Sequence, residues 1–462
     1  MLLDDLKNIV GRKGWSTSAD VLDPHLTEWR DRLRGRALIM VSPNTTQQVA
    51  QIVQACASER VAIVPQGGNT GLCGGAIPDE SGQQVLLSLA RLNAIRAVDA
   101  NDFSMVVEAG CILSDVQRAA RDQGRFFPLS LAAEGSCQIG GNLSTNAGGI
   151  NVLRYGTARQ LVLGLEVVLA DGTVWNGLRS LRKDTAGYDM KQVFLGSEGT
   201  LGVITAATLK LYPEPGETAT LFVALDSAQR SVDLLARVRE SFGDRIQAFE
   251  LISDRCLRFV ARHIAGSVRP FAEDYPWFVL CELVVDEQQA LLEDMLGRAL
   301  EHELIVNAII AKSAAESESL WRLRHSISEA QKFEGGNLKH DIAVPIGRIG
   351  EFLTRGDALL ASLMPTARLV AFGHVGDGNL HYNIAQPADA DAAAFMQQGT
   401  VLTDAIYELV ADMGGSISAE HGIGVLKKAH LKRYRSATEL ALMQSLKMAL
   451  DPQNILNPGK VI

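Results

Sequence analysis

The sequence lacks an excess of positive charge, a long apolar run and a basic leader. Lys and Arg total 44 against 53 Asp and Glu, giving a net charge of −9, which is the wrong sign for binding nucleic acid through its phosphates. No stretch approaches the ~18 uncharged apolar residues of a membrane span. The acidic start, Met1 to Asp5, has no basic segment like that of a secretory signal. We therefore expect no nucleic-acid partner, no transmembrane segment and no secretory signal.

Paired cysteines are also missing. None of the six cysteines forms a C-x-x-C motif, so the sequence offers no zinc-ribbon or redox-disulfide spacing. Isolated cysteines in a long chain indicate reduced thiols of a cytosolic protein. We expect a cytoplasmic location, with peripheral attachment to the inner membrane as an alternative. The oligomeric state stays open, and a homodimer is one alternative.

Local patterns predict an α/β (α+β) protein with more than one domain. The 462 residues correspond to two or three domains at about 150 residues each. A capping box at Thr45–Gln48 and apolar residues at helical spacing predict an amphipathic helix, followed by a buried strand at Val61–Pro65. Pro213–Gly216 marks a boundary, beyond which strands and helices suggest a domain built on an antiparallel sheet. The apolar tail, Leu450–Lys460, is expected to dock on the folded chain.

Glycine is the residue in excess, with 42 copies, and it clusters in three loops, Gly67–Gly75, Gly135–Gly149 and Gly196–Gly202. Such loops can present backbone amides to a phosphate because no Cβ blocks the approach. Neither G-x-G-x-x-G nor G-x-x-x-x-G-K-[ST] occurs, which argues against a Rossmann dehydrogenase or a P-loop enzyme. A single loop of this kind is more often only a tight turn. Three of them indicate a large phosphate-bearing cofactor.

Two segments near the carboxyl end concentrate histidine. A predicted hairpin places His374 and His381 directly opposite each other, close enough to reach one ion at ~2.0–2.1 Å. Asn383 shares that face by the two-residue period of a strand, whereas Asp377 in the turn is expected to bond its own backbone. Glu420 is a candidate third ligand, and two His with one Glu leave the open position of a catalytic zinc-type site. The alternative is a pair of hydrogen-bonded sheet histidines without metal.

A candidate anion anchor lies in the segment 321–330, which reads as one helix. Arg324 and Ser328 are four residues apart, so they share a helical face and could hold one carboxylate together. A solvated charged face is the more usual explanation of such residues.

The glycine runs Val64–Gly71, Gly140–Gly149 and Gly196–Gly202 resemble the FAD-binding domain of the vanillyl-alcohol oxidase and p-cresol methylhydroxylase superfamily. The resemblance covers essentially the whole chain, and its nearest form is the branch of FAD-linked D-2-hydroxyacid dehydrogenases that includes D-2-hydroxyglutarate and D-lactate dehydrogenases. It implies a two-subdomain FAD-binding domain and an α+β substrate, or cap, domain with an antiparallel sheet. The implied segments are an FAD-binding domain at 1–215 with a helical start at 1–36, a substrate domain with the metal site at 216–424, and a return to the FAD domain at 425–462.

The resemblance also implies which residues bind FAD. The first loop would hold the pyrophosphate, the later glycines would follow the flavin and ribityl chain, and the tail would return to the cofactor. Without a His in the first loop, and with Cys73 after its glycines, we expect non-covalent FAD. The implied FAD-binding residues are Pro65, Gly67, Gly68, Asn69, Thr70, Gly71, Leu72, Pro128, Gly135, Ser136, Gly140, Gly141, Asn142, Thr145, Asn146, Gly148, Gly149, Glu198, Gly199, Gly202, Val203, Ile204, Asn457 and Lys460.

The remaining site residues follow from the same resemblance. Positions matching His374, His381 and Glu420 bind a divalent metal, for which zinc is expected. The position matching His421 is the base beside the flavin and contacts the substrate. Substrate contacts are implied for Arg324, Ser328 and Lys339, with Asn383 added from its shared face, and Ser328 stands where Thr is familiar in the family.

The implied reaction is oxidation of a D-2-hydroxyacid, with D-2-hydroxyglutarate the expected substrate, to the 2-oxoacid by hydride transfer to flavin N5. The chain has no second redox motif, so electrons are expected to leave to an external acceptor such as an electron-transfer flavoprotein or a quinone. Two alternatives stay open. One is a D-lactate or glycolate dehydrogenase or oxidase on the same scaffold, and the other is a non-catalytic FAD-binding subunit of a larger complex.

Overall fold

The computed structural model describes residues 2–462 and divides into two compact units. The first unit contains the chain up to Gly149, then Tyr155–Glu214 and Glu420–Ile462. The second unit contains Ile150–Arg154 and Pro215–Ala419. Apart from the short segment Ile150–Arg154, the chain passes to the second unit between Glu214 and Pro215 and returns to the first unit at Glu420. The domain boundaries that the family resemblance implies, at 215/216 and 424/425, stay a prediction.

The helices and strands alternate along most of the described chain. The α-helices are α1 (Leu2–Val10), α2 (Ala19–Leu26), α3 (Thr46–Glu59), α4 (Leu113–Arg121), α5 (Ile139–Ser144), α6 (Val152–Tyr155), α7 (Lys191–Phe194), α8 (Gln229–Phe242), α9 (Asp254–His263), α10 (Gln289–Glu301), α11 (Ala314–His325), α12 (Ile327–Ala330), α13 (Ile349–Leu363), α14 (Ala392–Asp412), α15 (Lys428–Tyr434) and α16 (Ala437–Leu450). Short 3₁₀ helices occupy Ala158–Leu161, Gly243–Arg245, Gln331–Glu334, Ile346–Arg348 and Val375–Asp377. The strands are β1 (Trp15–Ser16), β2 (Ile39–Val41), β3 (Ile63–Gln66), β4 (Val85–Ser88), β5 (Ile95–Asp99), β6 (Ser104–Glu108), β7 (Val162–Val168), β8 (Val174–Gly177), β9 (Val203–Lys210), β10 (Thr218–Leu225), β11 (Ile246–Ser253), β12 (Trp277–Val284), β13 (Asn307–Ile310), β14 (Asn337–Leu338), β15 (Asp341–Ala343), β16 (Arg368–Gly373) and β17 (Asn379–Ala385).

The first unit contains two sheets. One has the order β1-β2-β4-β3, in which β2, β4 and β3 run parallel. The other is antiparallel, with the order β5-β6-β9-β7-β8. The predicted amphipathic helix is confirmed as α3, whose N-cap Thr45 accepts a hydrogen bond from the Gln48 amide. Its buried face, which includes Val49, Ile52 and Val53, packs in the core of the first sheet.

The carboxyl-terminal tail docks on the first unit, as its apolar sequence predicted. Leu456 forms a parallel bridge with Ile63 of β3, and both Ile455 and Leu456 are buried. The Lys447 ammonium, at the end of α16, donates to Thr200 O at 2.8 Å and Leu456 O at 2.7 Å. These bonds hold the tail beside the strand that leads into the first glycine loop.

The second unit is built on an antiparallel sheet with the order β13-β10-β12-β11-β16-β17-β14, and β15 also pairs with β17. This agrees with the antiparallel sheet predicted for this part of the chain. Strand β11 is buried along its whole length, so its side chains form the middle of the unit. In the described residues, 2–462, no helix is long and apolar enough to cross a membrane.

Candidate functional site

A cavity in the first unit is lined by all three glycine-loop regions, and it encloses about 860 Å³ when the space at its opening is counted. The backbone amides of residues 67–72 donate to no other group of the described chain. A run of unused N–H groups at a cavity is an anion-binding arrangement, because buried or partly buried amides otherwise find acceptors. The first loop therefore has the donors that a pyrophosphate requires.

Close packing of two loops explains why glycine is needed at position 68. A Cβ on Gly68 would lie 2.2 Å from the Ser136 carbonyl oxygen and 3.1 Å from Cys137 Cα. Both are backbone atoms, so a side-chain rotation cannot relieve the contact. The same loop turns through a left-handed residue, Asn69, at φ 54°, a conformation that Asn tolerates better than most residues.

Glu198 joins the third glycine loop to the segment that follows Glu420. Its carboxylate accepts from the amides of Ile423 at 2.7 Å and Gly424 at 2.8 Å. Burial raises the pKa of Glu198, and these two hydrogen bonds oppose the rise. The Asn457 side chain donates to both Gly75 O and Glu198 O at 2.8 Å, so the tail ties two glycine loops together.

The predicted base, His421, lines this same cavity. Its neighbour Glu420 accepts a hydrogen bond from the Gly149 amide at 2.7 Å, which fixes the beginning of the segment against the second glycine loop. The segment that returns to the first unit at Glu420 therefore places the imidazole of His421 beside the glycine loops.

Most residues predicted to bind FAD line the cavity. They are Pro65, Gly67, Gly68, Asn69, Thr70, Gly71, Leu72, Gly140, Gly141, Asn142, Thr145, Glu198, Gly199, Gly202, Val203 and Ile204. The other predicted residues are not among its lining: Pro128, Gly135, Ser136, Asn146, Gly148, Gly149, Asn457 and Lys460. Sequence reasoning did not select the lining residues Gln66, Cys73, Gly75, Ala76, Leu89, Gln138 and Ser144. Several of these adjoin the motifs in sequence, which was the available signal.

The thiols near the cavity are buried. Cys137 is 2% exposed, and the Asn142 amide nitrogen lies 3.5 Å from its Sγ. Burial raises the pKa of the Cys137 thiol, which keeps it protonated and poorly nucleophilic. This supports the prediction of non-covalent FAD, which remains a prediction.

In the second unit, His374 and His381 lie together, but the expected direct pairing across a hairpin is wrong. Strand β16 ends at Gly373, and the partner of His381 on β16 is Phe372. His374 instead precedes the 3₁₀ turn Val375–Asp377. The two rings are 5.7 Å apart between centroids, and their ligand nitrogens lie within 4.8 Å of each other.

The expected role of Asp377 in the turn is confirmed. Its carboxylate accepts a hydrogen bond from the Asn379 amide at 3.1 Å. Asn383 is buried and donates from its side-chain amide to Gln331 at 3.0 Å, while its carbonyl oxygen accepts from the His340 amide at 3.2 Å. Asn383 is therefore engaged in the interior of the second unit.

Sequence reasoning missed a buried carboxylate, Glu250 of β11. One oxygen accepts from Arg324 Nε at 2.7 Å, and the other lies 2.5 Å from His374 Nδ1. Burial alone raises the pKa of Glu250, but the charge of Arg324 and the hydrogen bonds from His374 and Arg324 lower it below its ordinary value. The carboxylate is therefore ionised. No motif marks Glu250, since its partners are 74 and 124 positions away in the chain.

The predicted anion anchors differ in exposure. The expected single helix over 321–330 is interrupted, because α11 ends at His325 and α12 begins at Ile327. Arg324 is 8% exposed, whereas Ser328 is exposed and Lys339 is half-buried. Although Arg324 and Ser328 are four residues apart, only Arg324 is buried, and there it donates a hydrogen bond to Glu250.

The donor set at the two histidines fits a divalent metal. A histidine that ligates a metal commonly donates its other ring N–H to a carboxylate, and Glu250 is in that position for His374. Asp341 faces His381 across β15 and β17, with Oδ1 3.9 Å from Nδ1. Ala419, whose amide lies 3.4 Å from Asp341 O, directly precedes Glu420.

Comparisons with known proteins agree with this geometry. A family model for the carboxyl-terminal domain of FAD-linked oxidases matches residues 214–461, and one for an FAD-binding domain matches residues 37–177. D-2-hydroxyglutarate dehydrogenase of Xanthomonas citri pv. viticola is 39% identical over 95% of this chain and 92% of that protein. The mitochondrial enzyme of the same name from Arabidopsis thaliana is 37% identical over 99% of this chain and 80% of that protein.

Solved structures that resemble this chain support the fold. A p-cresol methylhydroxylase with bound substrate superposes with a TM-score of 0.78 at 14% identity, covering 100% of this chain and 96% of that one. At this identity the likeness establishes architecture alone. With the family models and the full-length relatives, the conclusion is that the chain belongs to the family of FAD-linked D-2-hydroxyacid dehydrogenases, FAD-dependent oxidoreductases that act on CH–OH donors.

Proposed function

We propose that this protein is a metal-dependent D-2-hydroxyglutarate dehydrogenase. The observation that carries the proposal is the buried carboxylate Glu250, which contacts both a candidate metal ligand, His374, and a candidate carboxylate anchor, Arg324. An enzyme for a dicarboxylic hydroxyacid needs both functions, since one carboxylate lies beside the reacting carbon and the other requires its own cation. Full-length relatives named D-2-hydroxyglutarate dehydrogenase support this substrate.

Two bound groups, FAD and a divalent metal, take part in the proposed reaction. When bound along the glycine loops, FAD would accept the hydride from the substrate. A divalent metal, for which we propose zinc, would be held by His374, His381 and Glu420 and would favour the ionised form of the α-hydroxyl. The protein supplies binding and orientation, while the redox chemistry belongs to the cofactor.

The chain's own residues perform the remaining work in this proposal. His421 takes the hydroxyl proton on its imidazole as general base, and its place in the glycine-loop cavity supports that role. Arg324 and Lys339 hold carboxylate oxygens through charge-assisted hydrogen bonds, with Ser328 and Asn383 as further substrate contacts. Fixing the substrate at several points favours one reactive orientation.

Arg324 is well prepared to bind an anion. Its Nε is occupied by Glu250, and among residues 2–462 its two terminal nitrogens have no hydrogen-bond acceptor, although they are not buried. The guanidinium carbon lies 4.8 Å from the centre of the Phe372 ring. The terminal edge of the guanidinium is thus held in one orientation and is available for both oxygens of a carboxylate.

A D-lactate dehydrogenase is the second candidate function. A Schizosaccharomyces pombe protein named as a putative mitochondrial D-lactate dehydrogenase is 35% identical over 99% of this chain. We propose that electrons leave to an electron-transfer flavoprotein or a quinone, that the protein works in the cytoplasm or at the inner membrane surface, and that it is a homodimer if it oligomerises.

Anaerobic mixing of the purified protein with D- and L-2-hydroxyacids tests the proposal. We expect D-2-hydroxyglutarate to bleach the flavin faster than D-lactate, and the L-acids to leave it oxidised. Faster bleaching by D-lactate would favour the second function. A yellow protein that no hydroxyacid bleaches would instead indicate a non-catalytic FAD-binding subunit.

A further inference from the structure

Glu250 lies in the interior of the second unit with both oxygens engaged. Its side chain is 1% exposed, and its two partners are Arg324 Nε at 2.7 Å and His374 Nδ1 at 2.5 Å. An ionised carboxylate is costly to bury unless it is paired and hydrogen-bonded. Both partners are residues to which the proposed function gives a role, so their shared carboxylate acts on the metal ligand and on the substrate anchor together.

The register of the sheet explains why Glu250 meets His374. Strands β11 and β16 are antiparallel and pair through Leu251 with Gly373 and Ile252 with Phe372. One step further along the same register, Glu250 faces His374 just beyond the end of β16. The contact is therefore set by strand pairing rather than by a flexible loop.

The contacts of Glu250 determine what its two partners can do. An imidazole that donates Nδ1–H to a carboxylate keeps its lone pair on Nε2, which is the tautomer that binds a metal ion. A guanidinium that donates through Nε keeps its terminal Nη1 and Nη2 for a second anion. One carboxylate thereby selects the metal-binding atom of His374 and the substrate-binding edge of Arg324.

We propose that Glu250 is a positioning residue that couples the metal ligand His374 to the carboxylate anchor Arg324. This inference rests on the proposed function. Loss of Glu250 should weaken metal binding and dicarboxylate binding together, even though Glu250 is assigned to neither ligand directly. It is not a catalytic residue, since its contacts are to protein side chains.

A second cluster in the same unit provides a matched control. Glu334 also joins one histidine and arginines: it lies 2.6 Å from His263 Nε2, 3.3 Å from Arg262 Nη1 and 2.5 Å from Arg368 Nη1. Its side chain is only 6% exposed, and none of its partners is a site residue. The two glutamates therefore have similar chemistry but different functional neighbours.

The experiment compares Glu250→Gln with Glu334→Gln in the full-length protein. The side-chain oxygen of a glutamine can accept from only one of the two partners of Glu250. Its NH2 group would then lie against the N–H group of the other partner, and two donors cannot form a hydrogen bond. Metal bound per protein after dialysis and the Zn²⁺ dissociation constant from chelator competition are measured without turnover. The KM for D-2-hydroxyglutarate and for D-lactate is then measured at saturating metal.

We expect Glu250→Gln to retain FAD and to bind Zn²⁺ about 10- to 100-fold more weakly, the usual range for losing the outer partner of a metal ligand. Its KM should rise more for D-2-hydroxyglutarate than for D-lactate, and Glu334→Gln should match wild type in both measurements. If Glu250→Gln does not fold, Glu250→Asp, which retains the charge but is shorter, should show the same two losses to a smaller extent.

Two results would overturn the inference in distinguishable ways. A folded Glu250 variant with wild-type Zn²⁺ affinity, or with losses no larger than those of Glu334→Gln, would remove the positioning role while leaving the proposed function intact. A wild-type protein that holds no stoichiometric divalent metal would instead remove the metal-dependent function and this inference with it.

Discussion

The candidate site of the first unit is built mainly from backbone atoms, whereas that of the second unit is built from side chains. In the first unit, the cavity is made largely of backbone, with unused amides at 67–72 and glycines where loops touch. In the second unit, the site residues are charged side chains held by a buried carboxylate, Glu250. A backbone site should be damaged by adding atoms, whereas a side-chain site should be damaged by removing them.

The largest effect is expected from adding one carbon to a glycine loop. Gly68→Ala places Cβ 2.2 Å from the Ser136 carbonyl, so the two loops must separate and the protein should lose FAD. Gly297→Ala, in α10, is the control, because its Cβ would meet nothing within 4 Å and Gly297 is not a predicted FAD-binding residue. The ratio of flavin to protein absorbance after gel filtration measures both. Full flavin content in Gly68→Ala would show that the loops adapt.

Removing the metal should abolish turnover without releasing FAD, because the proposed ligands His374 and His381 are not part of the glycine loops. We expect the chelated enzyme, His374→Ala and His381→Ala each to lose on the order of 100-fold or more in kcat, as Lewis-acid stabilisation is worth several kcal/mol. Metal analysis and steady-state kinetics on the same samples test this. Near-native activity in a metal-free variant would contradict the metal site.

The substrate anchor should distinguish acids by their second carboxylate. Arg324→Lys retains a charge beside Glu250 but loses the planar guanidinium that can bind both oxygens of a carboxylate. The kcat/KM for D-2-hydroxyglutarate should therefore fall, and the decrease should correspond to a loss of about 1.5 to 3 kcal/mol of transition-state stabilisation. The loss for D-lactate should be much smaller, and Arg368→Lys, beside Glu334, should affect neither acid. Equal losses for both acids would place Arg324 at the shared α-carboxylate.

The smallest effect is expected at Ser328, which is exposed. Ser328→Ala removes one hydroxyl and should cost about 0.5 to 1.5 kcal/mol in kcat/KM for D-2-hydroxyglutarate, the net value of an ordinary hydrogen bond. Ser328→Thr should retain the activity, since it keeps the hydroxyl. A loss in Ser328→Ala as large as that of Arg324→Lys would show that exposure in the unbound protein understates the contact.

Local patterns predicted much of the fold and part of the candidate site. Three elements could be predicted from the spacing and composition of residues that are close together in the sequence. They are the helix α3, the docking tail and the antiparallel sheet of the second unit. The pairing of His374 with His381 was predicted in the wrong register, because strand β16 ends before His374 and only the turn brings it close. A hairpin's exact end depends on its neighbours in the sheet, which local sequence does not record.

The sequence by itself determined the three glycine loops and the family, because the absence of a Cβ and the tolerance of unusual backbone angles are properties of single residues in short motifs. Only the tertiary structure decided which charges share a partner. Glu250, Arg324 and His374 come from three distant segments, and a buried carboxylate can be paired only by groups that the folded sheet brings beside it.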